Sequence, residues 1–166
     1  YFKNKLSKLN KKIHIGISWK SVMNIYGGLK SLSINDFKKI FSDDRLIINL
    51  QYGDITNDLK ELNKHKLELF NFENIDLFND FKSTISLIKS LDLFITVSNS
   101  TAHLAGSLGI PTILICPSKS TTYYYWDTVN QKSIWYNSIK VISIDGSIKK
   151  TFDKINKIIL NYYQSN

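Results

Sequence analysis

Residues 91–116, LDLFITVSNSTAHLAGSLGIPTILIC, constrain the fold more than any other part of the chain. The first seven, LDLFITV, form an apolar run without alternation, the mark of a strand covered on both faces as in a parallel sheet. Ser98, Asn99 and Ser100 follow with N-cap chemistry, and Gly109 provides a C-terminal stop. A second buried strand, PTILIC, comes at 111–116. A strand, a short helix and another strand in so little chain imply a parallel pair with a right-handed crossover.

The rest repeats this alternation. KIHIGISW (12–19) sets Ile13, Ile15 and Ile17 on one face at period two. INDFKKIF (34–41) reads as a helix with Ser33 as N-cap and Asp36 three residues on. Strands are expected at 45–51, 67–72 and 139–144, and helices at 54–64, 80–90 and 147–163. Helix 80–90 would carry Phe81, Ile85 and Ile88 on one stripe. Helix 147–163 would point Ile148, Phe152, Ile155, Ile159 and Tyr162 inward. Residues 118–138 have no period and read as a long loop. Together these imply one α/β domain over 1–166, a doubly wound parallel sheet of about six strands. Ligands of such sheets lie beyond the carboxyl ends of the strands.

Composition narrows the function classes. Hydrophobic residues make up 43%, enough for a core, and no apolar run approaches a membrane span of about 20 residues. The single cysteine, Cys116, excludes an intrachain disulfide and suits a reducing cytoplasm. The net charge of +8 is almost entirely lysine, since Arg45 is the sole arginine. A dedicated nucleic-acid reader uses arginine more freely, so nucleic acid is not the expected partner. The chain begins at Tyr1 without a signal-peptide pattern and reads as a piece of a longer protein. His14, His65 and His103 are scattered without ligand spacing, so no metal is expected.

Three places can carry chemistry. At 97–106 a buried strand turns directly into a helix. Its free N–H groups and dipole favour an anion, with Ser98, Asn99, Ser100 and Thr101 adding donors. The same residues can equally serve only as caps. His103 lies one turn in, where the dipole favours the neutral ring. The loop 18–33 has Gly27-Gly28, Lys20 and Lys30, but neither GxGxxG nor a Walker pattern, which argues against an NAD domain and a P-loop NTPase. The aromatic segment 121–136 can stack on sugars or bases, cover the sheet edge, or dock onto a domain outside this chain.

In order, GISWK, a Gly-containing loop, LKSLS, NLQYGD, DFKSTISLI, LDLFITVSNSTAHLAGSLGIPTILICP, YYYW and WYNSIKV resemble the C-terminal half of bacterial glycosyltransferases related to the heptosyltransferases. In particular they resemble the domain found behind tetratricopeptide repeats. The resemblance spans about 13–145, with 91–111 the specific part.

It implies a Rossmann-like domain, half of a GT-B architecture, that binds a nucleotide-sugar donor without a metal or other cofactor, in an inverting, cytoplasmic enzyme. An acceptor domain supplying the general base would lie outside this chain, so the catalytic base is unassigned and the isolated domain is expected to be inactive. Ser98–Thr101 would hold the pyrophosphate. Lys30 and His103 would stabilise the leaving group. Trp19, Lys20 and Gln51 would face the donor, and Tyr125 and Trp126 would lie near the donor or the domain interface. Ser98-Asn99 stands where many relatives carry Asp-Thr, Ser83 stands for a common Asp, and Asn137 for a proline. A non-catalytic nucleotide- or glycan-binding module is the alternative these departures suggest.

Overall fold

The computed structural model describes residues 1–22, 27–117, 124–144 and 146–164, excepting the side chains of Tyr162 and Gln164. The expected inward face of Tyr162 therefore lies outside the described residues, as do 23–26 of the glycine loop and Thr121, Thr122 and Tyr123 of the aromatic segment. Seven strands form one mixed sheet in the order β2-β1-β3-β4-β7-β6-β5. They are β1 (Ile13–Ser18), β2 (Arg45–Asn49), β3 (Leu93–Val97), β4 (Thr112–Cys116), β5 (Thr128–Val129), β6 (Lys132–Ser133) and β7 (Ile139–Ser143). β2, β1, β3, β4 and β7 run parallel, with Ile15 opposite both Ile47 and Leu93. The chain leaves β1 for β2 on one side and returns to β3 on the other. The β1/β3 boundary is therefore the switch point at which doubly wound sheets open a crevice.

The helices are α1 (Phe2–Leu6), α2 (Gly27–Lys30), α3 (Thr56–Lys64), α4 (Phe81–Ile88), α5 (Ser100–Ser107) and α6 (Ile148–Gln164), with 3-10 turns at Ser7–Leu9, Ile34–Ile40 and Tyr124–Trp126. Strand alternation sends Ile13, Ile15, Ile17, Ile95 and Ile115 to one face. They pack there against Phe37, Leu62, Phe152, Ile155 and Ile159. Ile48 and Phe94 point to the other face, against α1, α4 and Ala105 of α5. The result is a three-layer sandwich whose cores lie on both sides of the sheet. Phe37 and Phe152 meet edge to face at 4.9 Å. No helix of the described residues is long and apolar enough to cross a membrane.

The capping box is present: Asp36 Oδ2 accepts from the Ser33 amide and Ser33 Oγ accepts from the Asn35 amide. The element it opens is a 3-10 helix rather than the α-helix expected. Segment 67–72 is not a strand. Phe70 alone bridges Ile48, exchanging bonds with Ile47 and Asn49, because Glu68 and Asn71 beside it turn to water. Segment 118–138, expected as a loop, is described from residue 124 onward. It carries the β5–β6 hairpin, whose turn places Asn130 (φ 52) and Gln131 (φ 65) both in the left-handed region that suits a two-residue turn. Asn-Gln is a weaker signal for that turn than Asn-Gly, so the sequence hides it.

The inward stripe of α4 is Thr84, Leu87 and Ile88, and Phe81 is 64% exposed. Asp80 caps that helix through the Ser83 amide, and Phe81, next to it, faces outward. His14, read as isolated, meets Asp92 through its backbone N–H (2.8 Å) and its Nδ1 (3.4 Å). Arg45 is buried, and its guanidinium donates to Ile40 O (3.1 Å) and to Asn156 Oδ1 of α6 (2.6 Å).

Phe152→Ala should cost about 3–5 kcal/mol in urea unfolding, the usual loss for a fully buried Phe. Phe81→Ala should change stability by less than about 0.5 kcal/mol, as surface substitutions do. Equal losses would contradict the packing described.

Candidate functional site at the carboxyl edge of the sheet

At the switch point three strand ends are tied by side chains. Gln51, just past β2, turns its carbonyl oxygen to β1. Gln51 Oε1 accepts from Ser18 Oγ (3.0 Å), the Trp19 amide (2.9 Å) and the Lys20 amide (2.7 Å). Its own backbone N–H is held by Asn49 Oδ1 at 2.9 Å. From β3, Asn99 Nδ2 donates to Ser18 Oγ at 2.9 Å. Ser18 thus donates to one amide side chain and accepts from the other. Asn99 Oδ1 accepts from the Ala102 amide at 3.0 Å, so Asn99 is also the N-cap of α5.

This geometry redefines two expected ligands. Gln51 is buried and its oxygen already serves three donors, so it positions the β1 end rather than facing the crevice. Asn99 spends its side chain on the cap and on Ser18. The N–H groups of Ser100 and Thr101 stay free of intrahelical acceptors by helix geometry. Ser100 is exposed, and Thr101 is buried beside it. Both line a small cavity of about 40 Å³ together with Tyr52, Phe78 and Thr84. A larger hollow of about 500 Å³ lies at the opposite, amino end of β2, beside Lys11, Arg45 and Glu68, away from the switch point.

Trp19 is 0% exposed, which corrects its expected place against a ligand. The alternation that makes β1 a strand carries it into the core below the site. The next residue emerges: Lys20 Nζ pairs with Asp58 Oδ2 of α3 at 2.5 Å and is partly exposed. The described ends of the loop after it are tied together. Ser31 Oγ accepts from the Ser21 amide and donates to Gly27 O, and the Leu32 amide bonds Trp19 O. A Cβ on Gly27 would stand 2.4 Å from Ser21 O, so the close approach requires glycine there. Lys30 closes α2 and is only 3% exposed.

A second cluster adjoins the first through Ser98. Trp126 is 1% exposed, and its Nε1 donates to Ser98 Oγ at 2.9 Å. It is thus a strut between the aromatic segment and the α5 turn, not an open stacking surface, because Leu114, Cys116 and Ala102 enclose it. His103 stacks on Trp126 at 4.4 Å, and Tyr125 meets its ring edge-on at 5.0 Å. Tyr136, which the sequence reading passed over, places its hydroxyl 3.1 Å from His103 Nδ1. Burial holds the His103 pKa below its ordinary value. Asn49, Asp58 and Ser18 were also passed over. The hint in the sequence for Ser18 and Asn49 is their place at strand ends, and Asp58, in the first turn of α3, has none.

No protein-family model matches the chain. Protein FlbA of Caulobacter vibrioides is 28% identical over 134 residues, which is 76% of this chain and 22% of FlbA. Among solved structures, E. coli ADP-heptose LPS heptosyltransferase II superposes with a TM-score of 0.65 over 98% of this chain, at 14% identity. The fold is heptosyltransferase-like. This chain spans 51% of that glycosyltransferase, about half its length. The mostly parallel sheet with its carboxyl edge at the switch point accords with a Rossmann-like GT-B domain.

Gln51→Leu would leave three donors without an acceptor and should cost about 2–3 kcal/mol, as buried unsatisfied groups do. Lys20→Ala should cost less than about 1 kcal/mol, as partly exposed ion pairs do. Chemical denaturation compares the two. For His103 the folded pKa lies below the unfolded one. As pH falls below about 6.5, the unfolded chain binds the proton first and the fold loses stability. Denaturation at pH 7.5 and 5.5 should show a smaller acid loss in His103→Gln than in the wild type.

Proposed function

We propose that this chain is the nucleotide-sugar donor-binding domain of an inverting, metal-independent glycosyltransferase, with the acceptor half outside this sequence. The observation that carries the reading is the α5 N-terminus at the sheet's switch point, with Ser98, Ser100 and Thr101 at its first turn, in a heptosyltransferase-like fold. A diphosphate leaving group develops negative charge as the sugar departs. Preorganised N–H groups, hydroxyls and an ammonium stabilise that charge without having to reorganise. The first N–H groups of α5 and the hydroxyls of Ser100 and Thr101 would meet the phosphates. Lys30 would neutralise them, and His103 would add a neutral donor. Lys20 and Tyr125 stand beside these groups. Gln51, Asn99, Trp19 and Trp126 would act behind them, by holding strand ends and the aromatic segment in place. The bacterial, cytoplasmic and tetratricopeptide context belongs to the same proposal, as does an acceptor domain that supplies the base.

Calorimetric titration of the chain with UDP, GDP and ADP tests the reading, with and without magnesium and at two salt concentrations. One nucleotide should saturate, with affinity indifferent to magnesium. Lys30→Ala should weaken it about 10- to 150-fold, the range for a charge-assisted bond. Absence of binding, or binding only with magnesium, would overturn the proposal. A nucleic-acid function would instead show affinity for oligonucleotides that collapses with salt. Nucleotide binding with no sugar transfer by the longer protein would favour the non-catalytic module.

A further inference from the structure

We propose that Tyr136 is a positioning residue that fixes His103 in one tautomer, with the phenol donating to Nδ1 and the imidazole presenting Nε2–H as a donor to an oxyanion. The proposal deepens the donor-site reading and rests on it for the identity of that oxyanion. Four observations lead to it. The Tyr136 hydroxyl is 3.1 Å from His103 Nδ1, a direct hydrogen bond. The imidazole is held in place by the Trp126 stack at 4.4 Å and by the edge of Tyr125, so its nitrogens have fixed directions. The Tyr136 ring lies so close to α5 that a Cβ on Gly106 would come within 2.6 Å of its Cγ. Gly106 is three residues beyond His103, on the same side of the helix, and its missing side chain is what lets the phenol reach along α5 to the imidazole. Finally, Tyr136 is anchored at its own backbone: its amide donates to Ser133 Oγ and its carbonyl accepts from the Ile139 amide.

The direction of the bond follows from chemistry. A neutral imidazole has one nitrogen that donates and one that accepts. A phenol O–H is a stronger acid than a neutral imidazole N–H, and the unprotonated imidazole nitrogen is a stronger base than a phenol oxygen. The better pairing is therefore O–H to Nδ1. It leaves the proton on Nε2 of the half-buried ring, as a donor for an acceptor outside the chain. Such a donor makes no net charge and needs no proton from solvent to engage a phosphate oxygen.

Long-range proton–nitrogen spectra of the ¹⁵N-labelled chain at pH 7.5 test this, with His14 and His65 as internal references. His103 should show a pyridine-type, hydrogen-bonded Nδ1 and a protonated Nε2. In Tyr136→Phe, which keeps the ring against Gly106, Nδ1 should move to the position of a free pyridine-type nitrogen. Gly106→Ala, which displaces that ring, should move it the same way. A protonated Nδ1 in the wild type, or an unchanged Nδ1 signal in both variants, overturns the proposal. In the nucleotide titration, Tyr136→Phe should weaken binding about 2- to 12-fold, the net worth of one hydrogen bond. If the wild type binds no nucleoside diphosphate, the donor reading fails while the spectra still decide the tautomer. If it binds and Tyr136→Phe binds equally well, the oxyanion role of Nε2–H fails while the donor reading stands.

Discussion

The hydroxyl of Ser18 is the hinge pin of this domain. It is the last residue of β1, it lies at the switch point, and it joins Gln51 after β2 to Asn99 after β3. Parallel strands end with carbonyls and amides that need partners, and neighbouring loops diverge there. Two amide side chains and one hydroxyl satisfy that need across three strands. The cap of α5 depends on the same asparagine. Position of the strands, start of the helix and direction of its dipole are therefore one event rather than three.

The aromatic cluster extends this order outward. Trp126 donates its indole N–H to Ser98, the neighbour of Asn99, and carries His103 on its face. Small residues make the arrangement possible. Ala102 sits under Trp126 and Gly106 under Tyr136, so α5 is slim where two large rings approach it. The segment that follows β4 is thereby fastened to the helix that follows β3.

The fold was legible where hydrophobic periodicity and length agreed. LDLFITV and PTILIC became β3 and β4, and Phe152, Ile155 and Ile159 turned inward as spaced. Legibility failed where a single contact decided the outcome. LELFNF has strand composition, yet only Phe70 finds a partner. The β5–β6 turn uses Asn-Gln in a conformation that residue statistics assign to glycine. At the site, sequence located the residues but not the direction of their side chains. Gln51 and Trp126 carry the polar and aromatic chemistry of ligand contacts, and both are used inside the protein. Tyr136 escaped notice because its link to His103 spans 33 residues and depends on a glycine one turn along α5.

Arg45 has a consequence of a different kind. The chain's one guanidinium lies between the 3-10 helix and α6, bonded to Ile40 and Asn156, while lysines supply the remaining positive charge. Guanidinium-selective reagents therefore meet a closed door on the native molecule. Once α6 detaches from β2 the door opens, and modification at that one address records it. The domain carries its own chemical reporter of C-terminal fraying, one that needs no engineered label.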